Sequence, residues 1–137
     1  MEIEDRQNYL TGLFNSSSIK KTFGMELSYD GDGSAVFYMP YNPGFDHGLN
    51  QIHGGVYATL LDNAGWFTVA QHYPTWIATA EMQMRLLEPA EKVDLIAKGR
   101  ILKRGKKIAM ARMDIRTKDN VIVSSGSGTF VITGIEF

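Results

Sequence analysis

The run Gly55–Gln71, GVYATLLDNAGWFTVAQ, constrains this chain more than any other. Val56, Tyr57, Leu60, Leu61, Ala64, Phe67, Thr68 and Val69 recur with a helical period and no proline interrupts them, so the spacing predicts a helix from Gly55 onward. Between Val56 and Ala70 the only strongly polar side chains are Asp62 and Asn63. A helix that is apolar all round is expected to be buried, so other structure has to wrap it. Within it the Asp62 carboxylate needs a hydrogen bond, a partner or a function to offset its desolvation. Just ahead sit His53, Gly54 and Gly55, where free backbone N–H groups and the positive end of the helix dipole make a place for an oxyanion.

The rest of the chain supplies the wrapping. Tyr9, Leu10, Leu13 and Phe14 fall at helical spacing, predicting a short amphipathic helix over Glu4–Phe14 that ends at Asn15-Ser16-Ser17-Ser18 and acts as a lid or as packing. Met25–Tyr29 and Ala35–Met39 flank Asp30-Gly31-Asp32-Gly33-Ser34, a hairpin signal. Pro40–Gly48 is a loop that delivers the chain to the central helix. After it, Ile77–Leu87, Val93–Leu102, Ile108–Thr117 and Val121–Thr133 alternate in part with a period of two and are separated by turn residues, as antiparallel strands with one face on a core. The fold class that follows is α+β: about six strands in one curved antiparallel sheet around one long helix, with a short N-terminal helix added.

With 137 residues the chain is read as a single domain, 1–137, able to bury a real core. Lys+Arg 14 against Asp+Glu 15 lacks the basic excess of a nucleic-acid binder, and no apolar run reaches the ~20 residues of a membrane span. The absence of cysteine removes thiol nucleophiles, disulfides and zinc-thiolate sites, and the acidic start MEIEDRQ is unlike a secretory signal, so the expected location is cytoplasmic. Three scattered histidines make no metal-ligand pattern. HExxH, GxxxxGK[ST], GxSxG and strand-borne GxGxxG motifs are all missing, which leaves metalloprotease, nucleotidase and serine hydrolase readings without support.

The segment His53-Gly54-Gly55-Val56-Tyr57-Ala58-Thr59-Leu60-Leu61-Asp62-Asn63 resembles the HGG-x6-D signature of hotdog-fold acyl-CoA thioesterases of the phenylacetate-degradation (PaaI-like) group. Thr79–Pro89 resembles that family's next strand and Gly128–Val131 its last one, so the likeness runs from about Met25 onward. It implies a hotdog fold, dimers joined into one continuous sheet and often paired into homotetramers, and hydrolysis of acyl-CoA without metal or other cofactor, the coenzyme A being part of the substrate. Position by position, it implies Asp62 as base or nucleophile, the Gly54 N–H as the donor that polarises the thioester carbonyl, and Thr79 as the group that helps place the attacking water. The family's frequent Asn six residues before the signature histidine is His47 here, with Asn50 as a possible substitute for that polar contact.

Gly55 and Asp62 are seven residues apart, hence on nearly the same helix face but about 10 Å apart along the axis. One thioester carbon cannot lie within about 3 Å of groups at both places, so a shared substrate requires two chains, one offering its helix start and the other its Asp62. This agrees with the interface site of the family and makes a homodimer the smallest active unit. His53 is either a proton carrier or a residue that orients its loop through a backbone hydrogen bond. Glu81 is either a substrate contact or a partner for a positive charge. Lys98, Arg100, Lys103, Arg104, Lys106 and Lys107 surround one hairpin, and they either hold CoA phosphates, with Arg104 and Lys106 as the contacts, or make a solvated turn. Trp66, with Phe67, Tyr57 and Trp76, lines an acyl pocket or packs as core. Two other functions remain open: a hydratase or dehydratase on the same fold, using a His with a carboxylate, and a non-catalytic acyl-CoA-binding protein.

Overall fold

The computed structural model describes residues 1–137. In chain order the elements are α1 (Ile3–Asn15), α2 (Ser18–Phe23), β1 (Glu26–Tyr29), β2 (Ala35–Met39), a 3-10 turn (Pro43–Phe45), α3 (Gly54–Ala70), β3 (Thr75–Leu86), β4 (Leu95–Arg104), β5 (Ile108–Arg116) and β6 (Ile122–Glu136). The six strands form one sheet in the order β1-β2-β4-β5-β6-β3, antiparallel at every pairing, and α3 packs against five of them. This is the hotdog arrangement. No helix is long and apolar enough to cross a membrane.

Local chemistry explains the joints. Asp30 and Asp32 turn their carboxylates onto the Ser34 N–H, Gly33 takes φ +84, and Lys98 of β4 bridges both acids at 2.5 and 3.2 Å, closing the β1–β2 hairpin onto the sheet. At Gly99 a Cβ would lie 2.4 Å from the Ala64 carbonyl oxygen, so only glycine lets β4 approach α3 this closely. Next to that contact the Thr68 hydroxyl donates to Ala64 O at 2.7 Å and accepts from Ala35 N at 3.0 Å, tying helix to β2. Leu10 and Phe14 of α1 are buried, Phe14 meeting Phe37 and Phe67 edge-on at 4.9 and 5.5 Å.

Three differences from the sequence-based expectation have physical causes. The serine run after α1 does not interrupt helical structure for long: the Ser17 hydroxyl accepts from Lys20 N and caps α2, which ends at Gly24 with φ +67. β3 and β6 run further than expected because they pair with each other over nearly their whole length, from Thr75 opposite Glu136 to Leu86 opposite Ser124. And α3 is not buried on all sides. Its core side is closed, but Gly55, Ala58, Thr59, Asp62, Asn63 and Trp66 form a stripe left partly open beside β3, one of the two edge strands.

Candidate active site

Asp62 lies on that open stripe, and a strand residue fixes its carboxylate. The Thr79 hydroxyl donates to Asp62 Oδ1 at 2.7 Å, leaving Oδ2 without a partner in the chain. A register shift in β3 between Thr79 and Glu81 reverses the alternation there. Thr79 therefore faces the helix, whereas Glu81 faces the outer surface and accepts a hydrogen bond from the Thr129 hydroxyl at 2.7 Å. The structure brings Asp62 and Thr79 together and keeps Glu81 apart from them.

The helix start forms a second locus. His53 is the N-cap of α3, its Nδ1 accepting from Gly55 N at 2.8 Å, while Val56 N donates to His53 O at 2.9 Å. An Nδ1 that accepts carries no proton, so in this arrangement His53 orients the loop, and the Gly55 N–H is taken. The Gly54 N–H is the first-turn donor left without an acceptor in the chain. It opens on a pocket of about 300 Å³ lined by His47, Gln51, Ile52, Tyr57 and Leu86–Pro89. Gly54 itself is close to Leu86, whose Cδ1 would be 3.1 Å from an added Cβ.

Between positions 47 and 51 the chain doubles back. His47 N donates to Gln51 O at 2.8 Å, Asn50 N to His47 O at 2.9 Å, and Asn50 takes φ +60 at the exposed tip. The turn returns His47 and Gln51, not Asn50, to the Gly54 pocket. Gln51 escapes a reading based on motif spacing because only this turn brings it back beside His47.

Asp62 opens on a different pocket, of about 370 Å³, lined by Leu13, Phe14, Ser16, Ser17, Ile19, Asp62, Asn63, Trp66, Phe67 and Trp76. Trp66 donates through Nε1 to Ile77 O at 2.9 Å and sits 4.9 Å, centroid to centroid, from Trp76. The contribution of the α1–α2 corner was not visible in the sequence, because nothing in the spacing of Leu13 and Ile19 places them near position 62. Arg104 and Lys106 lie at the exposed β4–β5 turn by the far end of α3, where Tyr73 donates to Gly105 O at 2.7 Å. Burial first, and the positive Arg104 second, lower the pKa of His72 there. A larger groove of about 540 Å³ lies on the outer face among Gln83, Arg85, Leu102, Arg112, Ser125 and Ser127, remote from Asp62. No three His, Asp or Glu side chains converge as a metal-ligand set.

A candidate esterase of Halobacterium salinarum is 25% identical over 142 residues, covering 94% of this chain and 93% of its own. The Escherichia coli PaaI protein from the phenylacetic acid degradation operon superposes with a TM-score of 0.89 at 17% identity, covering 98% of this chain and 99% of its own. A Bacillus halodurans protein solved with CoA superposes with a TM-score of 0.81 at 24% identity, over 96% and 91% of the two chains. The sequence profile of the thioesterase superfamily matches residues 49–124, more than half of the chain and the whole of α3 with Asp62 and Thr79. The chain belongs to the thioesterase superfamily.

Proposed function

We propose that this protein hydrolyses acyl-CoA thioesters at a site made by two chains, with Asp62 of one and the Gly54 N–H of the other acting on the same thioester. The observation that carries the reading is the Asp62–Thr79 pair: a carboxylate on a partly open helix stripe, held through one oxygen by a hydroxyl at 2.7 Å, with the other oxygen free to act. Membership of the thioesterase superfamily supports the reaction class, and the fold neighbour solved with CoA supports the thiol carrier.

In the reaction, Asp62 Oδ2 either takes a proton from the attacking water or itself attacks the thioester carbon. The carbonyl oxygen gathers negative charge and accepts from the Gly54 N–H, backed by the helix dipole. The C–S bond then breaks and the thiolate leaves to be protonated as CoA; when water attacked, the acid is released directly, and when Asp62 attacked, the acyl group stays on it as a mixed anhydride that water hydrolyses to the free acid and the regenerated carboxylate. Gly54 and Asp62 are eight residues apart on one helix, about 12 Å along the axis, so the donor comes from a partner. The long outer edge of β3 and the open stripe beside it offer the surface for that partner, and pairing there satisfies the edge. Such dimers pair into tetramers in this reading, and the site needs no cofactor. His53, engaged as a helix cap, orients Gly54; a hydratase on this fold would instead pass a proton through it.

The test is release of free thiol across a panel of short, long and aryl CoA esters, with Asp62→Asn alongside. The reading expects turnover by the wild type and a loss of about 10²–10⁴-fold in the variant. A folded Asp62→Asn protein with wild-type turnover would sink it.

A further inference from the structure

We infer that the corner between α1 and α2 forms the acyl-binding end of the site and selects bulky apolar acyl groups over acetyl or polar ones; this rests on the hydrolase reading above. The pocket beside Asp62 is bounded on one side by α3 and β3, through Trp66, Phe67 and Trp76, and on the other by Leu13, Phe14 and Ile19 from α1 and α2. Its volume of about 370 Å³ is within the range of small-ligand sites and far exceeds what an acetyl group fills.

The chemistry of its wall points the same way. The Ser16 hydroxyl donates to Leu13 O at 3.0 Å, the Ser17 hydroxyl to Phe14 O at 2.6 Å, the Asn63 amide to Thr59 O at 2.8 Å and the Trp66 indole to Ile77 O at 2.9 Å. The two serine hydroxyls and the indole spend their only donor, and Asn63 one of its two, on carbonyls of their own chain. A polar acyl group entering here loses water and gains little in return, whereas an alkyl or aryl group meets aromatic and aliphatic surface. Asp62 lines the same pocket, so an acyl group seated there keeps its carbonyl carbon beside the carboxylate.

The far wall is thin and open to change. Ile19 is 38% exposed and α2 buries none of its side chains, so the pocket's length depends on a residue the core does not need. Trp76 is itself held by Trp66 at 4.9 Å and by Phe137 at 5.5 Å, with the Arg6 guanidinium 4.1 Å from the Phe137 ring. Ile19 is thus a specificity-determining position and Trp76 the fixed wall opposite.

The experiment compares kcat/KM for acetyl-, octanoyl- and phenylacetyl-CoA in the full chain and in Ile19→Trp. In the wild type the two bulky esters should exceed acetyl-CoA by about tenfold or more, and Ile19→Trp should lower that ratio about tenfold. Equal rates across the panel, or a variant that slows every ester alike, overturns the proposal. If no ester is turned over, the hydrolase reading fails, and binding decides the pocket separately. Asp62→Asn protein should then bind octanoyl-CoA more tightly than CoA, and Ile19→Trp added to it should abolish the difference. No difference between octanoyl-CoA and CoA overturns the proposal.

Discussion

The two sides of α3 differ in what they are made for. On the core side Leu60, Leu61, Ala64, Thr68 and Val69 are buried against a sheet brought so near at Gly99 that a single methyl group would collide with the helix backbone. On the other side Gly55, Ala58, Thr59, Asp62, Asn63 and Trp66 make a partly open stripe, and its one carboxylate is held by a hydroxyl from β3. The core side is apolar because it is packed, whereas both strongly polar side chains of the helix, Asp62 and Asn63, fall on the stripe, where Gly55, Ala58 and Thr59 leave room for another molecule or chain.

Substitutions can break or sharpen this contrast. On the stripe's side, Gly54→Pro should remove the one free first-turn N–H while leaving the helix intact. Proline is favoured at the first helical position, and His53 at φ −63 and ψ 138 already has the backbone that precedes a proline. Thiol release should fall by about 10²–10³-fold, with Gly54→Ala, which keeps the N–H and the same contact with Leu86, falling much less. If the two variants lose activity equally, crowding against Leu86 rather than the donor explains the effect. Thr79→Val should cost about tenfold in kcat by freeing the carboxylate, with unfolding unchanged in urea beyond small amounts.

On the core side the same size of change should move stability instead. Gly99→Ala should destabilise by about 1–3 kcal/mol in urea unfolding, while the kcat of the folded fraction stays at the wild-type level. A loss of turnover without a loss of stability would show that the two sides are not separable. The smallest effect is expected at Asp94, which accepts from the Tyr38 hydroxyl at 2.5 Å and Tyr41 N at 2.8 Å and pairs with Lys118 at 3.0 Å. These contacts, the Tyr38 hydroxyl first, hold its carboxyl down at about 2. A depressed carboxylate contributes stability that is present above its unfolded value of about 3.9 and is lost as the pH falls through the folded one. The Tm gap between wild type and Asp94→Asn should therefore be widest near neutral pH and narrow on acidification toward about pH 2.

Periodicity made α3 legible, and turn residues made the hairpins legible, because those signals are local. Asp62 and Gly54 stood out for the same reason: a carboxylate in an apolar run and a glycine pair ahead of a helix are visible along the chain. What stayed hidden depends on tertiary approach. Glu81 seemed a neighbour of Thr79, but the bulge at Ala80 turns it to the opposite face. Asn50 was a closer match to the family's amide than Gln51, yet the positive φ at Asn50 carries it to the loop tip and returns Gln51 to the pocket. Leu13 and Ile19 reach position 62 only because Ser17 caps a second helix and folds the N-terminus back over α3. The all-round hydrophobicity of α3 was legible too, but a sequence cannot say which side of a helix its own sheet will cover.

The central claim is that the two ends of the chemistry come from different chains, and mixing two inactive proteins tests it most directly. Asp62→Asn and Gly54→Pro chains should each be nearly silent alone. Co-refolded in equal amounts, they should recover about a quarter of wild-type thiol release, because random pairing makes half the dimers mixed and each mixed dimer holds one intact site of two. A mixture that forms hybrid dimers yet stays as silent as its components would contradict the two-chain site.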